Sequence, residues 1–391
     1  MSRTLSFVVF LTIVLTITGA LHYYLWARLV RDAGLPSWIH RSLTGVAVLL
    51  YLSFPITFWL SRSLPPHDGQ TLLIVLWSWL GFLFLLFVLL VIADVGRLAY
   101  FGVSRVALGA PVDAERRQTL ARLLAGGVAL AGFGLGVVGV VDALTRLLVK
   151  EVRIKLARLP AALSGTTLVQ LSDVHIGPTL RREFLAKVVA RTNELQPDVV
   201  VITGDLVDGS VESLAPLVEP LRDLKARFGV YFVTGNHEYY SGAPQWCDKL
   251  GELGVRVLRN ERVSIGDSRG SYDLAGVDDL EGRRHGGGHG ADLEKALRGR
   301  DRTRELVLLA HQPRMVFEAM RHGVGLQLSG HTHGGQLWPW RWFVLLQQPV
   351  IAGLARFGQT QVYVNSGTGY WGPPMRLGVP AEITKVILER E

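Results

Sequence analysis

Leu168-Val169-Gln170-Leu171-Ser172-Asp173-Val174-His175 and Val199-Val200-Val201-Ile202-Thr203-Gly204-Asp205-Leu206-Val207-Asp208 follow one plan: a short apolar run ends abruptly in side chains able to bind a metal. Runs of this length and composition read as strands buried on both faces. Three more stretches repeat the plan. Val230-Tyr231-Phe232-Val233-Thr234 leads into Gly235-Asn236-His237-Glu238, Leu306-Val307-Leu308-Leu309-Ala310 into His311, and Leu326-Gln327-Leu328-Ser329 into Gly330-His331-Thr332-His333. In layered sheets, ligands gather beyond the carboxyl ends of the strands, so these sets are expected on one rim. If the segments stay extended, residues i and i+2 face the same side, which pairs Asp173 with His175 and His331 with His333. Gly204, Gly235 and Gly330 allow tight turns beside such a site.

Between these runs, Arg181 to Leu195, Leu214 to Ala226 and Gln245 to Leu253 have the spacing of helices, which together with the strands makes a layered α/β domain. Glu281 to Gly290, with Arg283, Arg284, His285 and His289 among glycines, reads as a flexible, solvated surface loop. The single cysteine, Cys247, excludes an intrachain disulfide and a cysteine-based metal cluster. A metal must then use His, Asp, Asn or Glu, and hard oxygens mixed with imidazole suit Mn, Fe or Zn better than Ca or Mg. Each motif alone is weak, since an Asp-x-His can be a surface pair, a Gly-Asp a turn, and a lone His311 a structural histidine. The ordered coincidence of all of them, each behind a strand, carries the reading.

Toward the N-terminus the chain changes character. Its 391 residues are 49% hydrophobic and 19% charged, too apolar for an ordinary soluble enzyme and too charged for a wholly membrane-embedded one. Two parts resolve this: a helical membrane region over residues 1–150 and the α/β domain over 160–391. Four spans are expected, near 5–27, 43–60, 72–93 and 123–141, each long enough to cross a hydrocarbon layer of ~30 Å. The first closes on His22, Tyr23, Tyr24 and Trp26, an interfacial aromatic group, and is too long for the apolar core of a cleaved signal peptide. The last is rich in glycine, including Gly126, Gly127, Gly132, Gly134, Gly136 and Gly139, which suits close helix packing. After it, Arg146, Lys150, Arg153, Lys155 and Arg158 form a basic stretch before Pro160. The net charge of +8 fits anionic lipid headgroups better than nucleic acid here.

Taken together, Asp173-Val174-His175, Gly204-Asp205-Leu206-Val207-Asp208, Gly235-Asn236-His237-Glu238, His311 and Gly330-His331-Thr332-His333 resemble the calcineurin-like metallophosphoesterase superfamily over about Leu168 to Leu388. Gly-Asn-His-Glu-Tyr-Tyr at 235–240, Ala-His-Gln-Pro at 310–313, Gly-His-Thr-His-Gly-Gly-Gln at 330–336 and Ala-Glu-Ile-Thr at 381–384 resemble the transmembrane proteins with a metallophosphoesterase domain. The resemblance implies a two-sheet layered sandwich flanked by helices. It also implies two divalent transition-metal ions, Mn favoured, with Asp173, His175 and His333 on one, Asn236, His311 and His331 on the other, and Asp205 between them. His237 would be the general acid, oriented by Asp208. Glu238 stands where many members carry Asp, which bears on tuning around the site. Related bacterial enzymes act on phosphodiesters or on UDP-diacylglucosamine. The implied reaction is hydrolysis of a phosphodiester or pyrophosphate by metal-activated water, with a lipid-linked substrate as one reading.

Short-loop arginines suggest an orientation. Arg28, Arg31 and Arg41 lie between spans one and two, and Arg97, Arg105, Arg116, Arg117 and Arg122 between three and four, against Arg62 in the middle loop and Arg3 at the N-terminus. The positive-inside rule puts the odd loops in the cytoplasm and the enzyme outside a plasma or inner membrane. Arg116-Arg117-Gln118-Thr119-Leu120 resembles a twin-arginine export signal, with Thr119 in place of Phe; the basic stretch after span four argues the other way. Leu337-Trp338-Pro339-Trp340-Arg341-Trp342-Phe343 suits either a lipid interface or an aromatic edge packed on the sheet. The competing classes are a nucleotide or nucleic-acid phosphodiesterase, for which no basic stacking platform is evident apart from this tryptophan segment, and a non-catalytic membrane scaffold, at odds with the full ligand set.

Overall fold

The computed structural model describes residues 3–63, 69–108 and 114–391. The chain divides into two compact units, one of residues 1–141 with 372–375, the other of residues 142–371 with 376–391.

In the first unit, α1 (Arg3–Trp26), α2 (Ser37–Ser63), α3 (Gln70–Leu108) and α4 (Ala114–Thr145) are each long and apolar enough to cross a membrane. Each runs beyond its apolar stretch, because polar residues at the ends can still continue a helix outside hydrocarbon; α3 passes Asp94 and Arg97. Arg62 falls within α2 and Arg105 within α3, while 64–68 and 109–113 lie outside the described residues. Large apolar side chains such as Leu49, Val75 and Leu130 point outward, the pattern of helices solvated by lipid. Charge is gathered instead at one end of the bundle. There Asp94 binds Arg28 at 2.8 Å and Arg97 at 3.4 Å and accepts from Tyr24 Oη at 2.7 Å, and Arg122 Nε donates to Ala33 O at 2.8 Å. Arg116 and Arg117 sit exposed in the opening turns of α4. Of the α4 glycines, Gly132 and Gly136 abut Leu86 and Phe82 of α3, so a close helix contact accounts for these two.

The second unit is a sandwich of two six-stranded sheets. The first runs in the order β1 (Leu147–Leu156), β12 (Ala381–Arg390), β2 (Thr167–Leu171), β3 (Val199–Ile202), β4 (Val230–Phe232), β5 (Arg256–Val257). The second runs β10 (Gly353–Phe357), β11 (Thr360–Val364), β9 (Leu326–Ser329), β8 (Leu306–Leu309), β7 (Gly270–Gly276), β6 (Glu261–Asp267). Within each sheet the central strands pair in parallel, β2 with β3 with β4 and β7 with β8 with β9, and strands β2, β3, β4, β8 and β9 are buried almost throughout. Residues facing inward from both sheets, among them Ile154, Leu168, Val199, Leu274, Val307 and Leu326, make the central core. The outer face of the first sheet is covered by α5 (Arg182–Glu194), α6 (Val211–Val218) and α8 (Ala243–Glu252), which follows α7 (Asn236–Ser241). Each fully buried Val, Leu or Ile contributes about 1.5–3 kcal/mol, so this layered core holds the strand ends in place.

Two local expectations are modified. The helical stretch from Leu214 to Ala226 breaks after Val218 into a 3-10 turn, Glu219–Asp223, because Pro220 has no N–H to continue the ladder. The glycine-rich segment from Glu281 is not wholly loose: a 3-10 turn, Leu280–His285, is capped by the Asp279 carboxylate accepting from Glu281 N. Rings of His285 and His289 pack on Tyr239 at 5.4 and 5.5 Å.

Candidate metal centre

All five strand ends open on one rim. Asp173 and His175 follow β2, Asp205 and Asp208 follow β3, Asn236 and His237 open α7 after β4, His311 follows β8, and His331 and His333 follow β9. The side chains meet in a way that strand alternation does not explain. Asp173 (φ 52°), His175 (φ 52°), Asp205 (φ 51°), His331 (φ 71°) and His333 (φ 49°) are all left-handed, so the chain turns the pairs inward at the rim rather than presenting them from extended backbone. Such conformations cost about 1 kcal/mol or more each for a residue with a Cβ and persist where neighbouring contacts over-determine them. Here Asp173 N donates to Gly204 O at 3.0 Å, His175 N to Asp205 O at 3.1 Å and Ile176 N to Leu206 O at 2.8 Å, so the β2 and β3 turns brace each other. Gly204 (φ 88°) permits a close approach, since a Cβ there would stand 2.6 Å from Gly235 N and 2.7 Å from His311 Nδ1.

The turned-in side chains form two adjacent groups of potential ligands. In the first, His175 Nε2 faces His333 Nε2 at 3.0 Å, and Asp173 Oδ1 is 3.4 Å from His333 Nε2. In the second, His311 Nε2 lies 3.1 Å from Asp205 Oδ2, 3.2 Å from Asn236 Oδ1 and 3.2 Å from His331 Nδ1. Asp205 Oδ2 also lies 4.0 Å from His175 Nε2, so one carboxylate oxygen looks into both groups.

Hydrogen bonds on the far side of the rings decide which nitrogens face inward with lone pairs. His311 Nδ1 donates to Thr203 O at 2.7 Å, and His175 Nδ1 donates to Asp208 Oδ1 at 3.0 Å. Both rings therefore direct Nε2, the nitrogen left to take a cation or a proton, at neighbouring nitrogens and carboxylate oxygens. Lone pairs converging at 3.0–3.4 Å repel one another unless a cation or proton sits among them. The donor set, three carboxylate or amide oxygens and four imidazoles, is the mixture that mid-row divalent metals take. In this respect the residues fit a pair of metal ions.

Protonation follows the same crowding. Burial works against charge on His311, but Asp205 outweighs it and holds its pKa well above the usual histidine range. Burial and the neighbouring His311 pull His331 down to about 3, and burial with His175 pulls His333 well below its usual value. In the second group His311 thus holds a proton that a bound cation would displace.

His237 stands at the mouth, partly exposed. Its Nδ1 is 2.6 Å from Asp208 Oδ1, and its backbone N donates to Asp205 Oδ1 at 2.9 Å. Burial opposes protonation here too, yet Asp205 and Asp208 push the pKa up to about 9. Burial would raise Asp208, but His175 and His237 hold it well below the carboxylate range. The exposed rings of Tyr240 and Trp371 stand edge-on to His237, with centroids 5.4 and 5.8 Å away.

Some supporting residues lay outside the sequence reading. Ser172 Oγ donates to Asp173 Oδ2 at 2.6 Å. Arg376, fully buried, donates to the carbonyls of Ser366 at 3.0 Å, Val379 at 3.1 Å and Gly369, and approaches His333 Nδ1 at 3.4 Å; burial pulls its pKa down to about 10. Nothing in the Gly- and Pro-rich tail around it marks an arginine as interior. Glu238, noted only as a departure from Asp, accepts from Gly235 N at 2.6 Å, Leu206 N at 2.8 Å and Asp205 N at 3.0 Å, and so holds the β3 and β4 turns together. Its bond back to Gly235 N is the acidic half of a capping box, and a glycine N-cap has no side chain to complete the motif or to mark it in the sequence.

Comparison with known proteins places the chain in a family. The family model described as calcineurin-like phosphoesterase matches residues 166–335. A transmembrane protein with metallophosphoesterase domain from Danio rerio is 39% identical over 381 residues, which cover 94% of this chain and 86% of that protein. An uncharacterized metallophosphoesterase of Helicobacter pylori strain J99 is 37% identical over 75% of this chain and 77% of its own. Among solved structures, a dimetal phosphatase from Danio rerio aligns with 52% of this chain and 88% of its own, at TM-score 0.35 and 14% identity.

Proposed function

Because this chain belongs to the calcineurin-like phosphoesterase family and is a metal-dependent phosphoester hydrolase, we propose that it works with two divalent metal ions on a phosphodiester or pyrophosphate borne by a membrane lipid. The observation that carries the dinuclear reading is Asp205 Oδ2, set between the His175–His333 group and the His311–His331 group. Asp173, His175 and His333 would hold one ion, Asn236, His311 and His331 the other, with Asp205 shared. Among Mn, Fe and Zn, which this donor set suits, we favour Mn. When bound, such a pair supplies polarisation of the phosphoryl oxygens and activation of the attacking water.

The remaining steps belong to the chain's own residues. With Nδ1 engaged by Asp208, His237 presents its Nε2–H, the atom from which a proton passes to the leaving oxygen. Asp208 keeps that tautomer and also keeps His175 Nε2 free for coordination. Tyr240 and Trp371 wall the space beside His237 with apolar surface, which suits an uncharged or acyl-bearing leaving group and limits bulk water.

For orientation, we favour the catalytic unit outside the cytoplasm. Arg28 of the first loop and Arg97 of the third share Asp94, and Arg122 reaches the first loop, so the arginine-rich odd loops lie at one end of the bundle.

The test is turnover of the full-length protein, purified and reconstituted with Mn, Fe or Zn, against phosphomonoesters, nucleotide diesters, phosphodiester lipids and lipid pyrophosphates. Preference for the lipid substrates supports this reading. Preference for nucleotide diesters would move the assignment to a nucleotide phosphodiesterase, and no turnover with full metal loading would favour a scaffold.

A further inference from the structure

We propose that the aromatic projection of residues 338–346 is a wedge that enters the headgroup zone of an anionic bilayer and holds the mouth of the metal cluster at that surface. The inference rests on reading α1–α4 as membrane-spanning and does not depend on the substrate.

Exposure is the first observation. Trp340 is 50% exposed, Trp342 60%, Phe343 54% and Leu346 82%, although they are consecutive or nearly so. The sequence allowed an aromatic edge packed on the sheet; the structure turns these side chains outward. Contiguous apolar surface on a folded unit marks a contact site, and tryptophan is the side chain most at home where hydrocarbon meets headgroups. The Arg341 guanidinium lies 5.7 Å over the Trp342 ring, so a cation sits directly against the apolar body.

Position is the second. Gln336, at the root of the projection, donates to Trp371 O at 2.9 Å and accepts from Trp371 N at 3.0 Å, which ties the projection to the ring beside His237. The chain enters this unit at β1, whose Leu147 follows the end of α4 at Thr145 with Arg146 alone between them. Strand β1 is parallel to β12, and β12 is antiparallel to β2, so the start of β1 lies at the same end of the sheet as Asp173 and His175. Tether, mouth and projection therefore share one rim.

Charge is the third and selects the occupant. No Asp or Glu occurs between Glu318 and Glu382, so no acidic side chain of this segment offsets Arg341, the projection's own charge. A cation held against exposed tryptophan is complementary to anionic headgroups. A second copy of the chain docked through the projection would bring Arg341 against its own like charge.

The test uses the full chain in nanodiscs of phosphatidylcholine and phosphatidylglycerol. Burial pushes the Cys247 thiol up to about 12, and Cys247→Ser removes it as a labelling site. Nitroxides are then placed at Phe343→Cys or Leu346→Cys, and at Arg302→Cys, exposed before β8 at the opposite end of the sheet. The ratio of collisions with oxygen to collisions with a water-soluble nickel chelate should be severalfold higher at 343 and 346 than at 302. Equal ratios at all three positions would overturn the proposal. Shielding from both reagents with spin–spin broadening between chains would identify a second copy as the occupant and overturn it equally. Metal content and turnover of a soluble ester, read on the same discs, report on the cluster alone, so their loss with labels still deep leaves the wedge standing and counts against the catalytic reading.

Discussion

Asp208 Oδ1 lies 2.6 Å from His237 Nδ1, and the same oxygen is 3.0 Å from His175 Nδ1. One carboxylate atom therefore orients both the proposed acid and a proposed ligand of the first metal, which couples proton donation to metal binding. Asp208→Asn is predicted to lower both metal affinity and turnover, each by roughly 10–100-fold, the usual worth of such an outer partner. Metal titration followed by rates at saturating metal separates the two; a loss in turnover alone would show that His175 does not need Asp208.

His237→Ala is predicted to leave metal content unchanged and to lower turnover of alkyl esters by roughly 10²–10⁴-fold. With nitrophenyl esters, whose leaving group needs little protonation, the loss should shrink. An emptied site in the variant would make His237 a ligand and would falsify its assignment as the acid.

Elemental analysis of the purified protein is predicted to give about two divalent ions per chain, falling toward one in Asp205→Asn, which loses the shared oxygen. Chelation should lower the thermal midpoint of the catalytic unit, since bound ligand stabilises the folded state and its removal leaves the lone pairs of His175 and His333 facing each other. Unchanged metal content and activity in Asp205→Asn would end the dinuclear reading.

Glu238→Gln is predicted to destabilise the catalytic unit by on the order of 3 kcal/mol, because a buried carboxylate accepting from Gly235, Asp205 and Leu206 is replaced by an amide that can accept fewer of them. Metal affinity should fall with it, since Asp205 sits on the turn that Glu238 holds. Thermal unfolding monitored by tryptophan fluorescence gives the first quantity and metal titration the second; full stability in the variant would refute the bracing role.

Topology is open to a fusion test. A reporter active only outside the cytoplasm, joined after Glu391, is predicted to be active, and Arg116→Gln with Arg117→Gln is predicted to reduce that signal by removing two charges that hold the third loop inside. A silent extracytoplasmic reporter, active instead in its cytoplasmic version, would give orientation to the basic stretch from Arg146 to Arg158.

The five strands that lead into the site, their order along the chain and the membrane character of α1–α4 were legible because each depends on a local pattern, whereas the other seven strands of the two sheets were not named. An apolar run of four, such as Val199–Ile202, can satisfy its hydrogen bonds and bury both faces only inside a sheet. The residues destined for the rim were legible for a related reason: Asp, Asn and His directly behind such runs have nowhere else to go. The division of His331 and His333 between two groups was implied by family resemblance, whereas the shape of the turns that accomplishes it was not.

The sequence by itself determined which side chains arrive at the rim and that four helices precede them, since composition and period act over a few residues at a time. Tertiary structure alone decided how they meet. The left-handed turns at Asp173, His175, Asp205, His331 and His333 exist because β2, β3 and β9 are packed side by side and across the sandwich, and their cost is met by contacts between segments far apart in the chain. The same holds for Arg376, made interior by four carbonyls that only the folded tail brings together, and for the tryptophans after His333, whose composition allowed burial or exposure until the sheet edge left them outside.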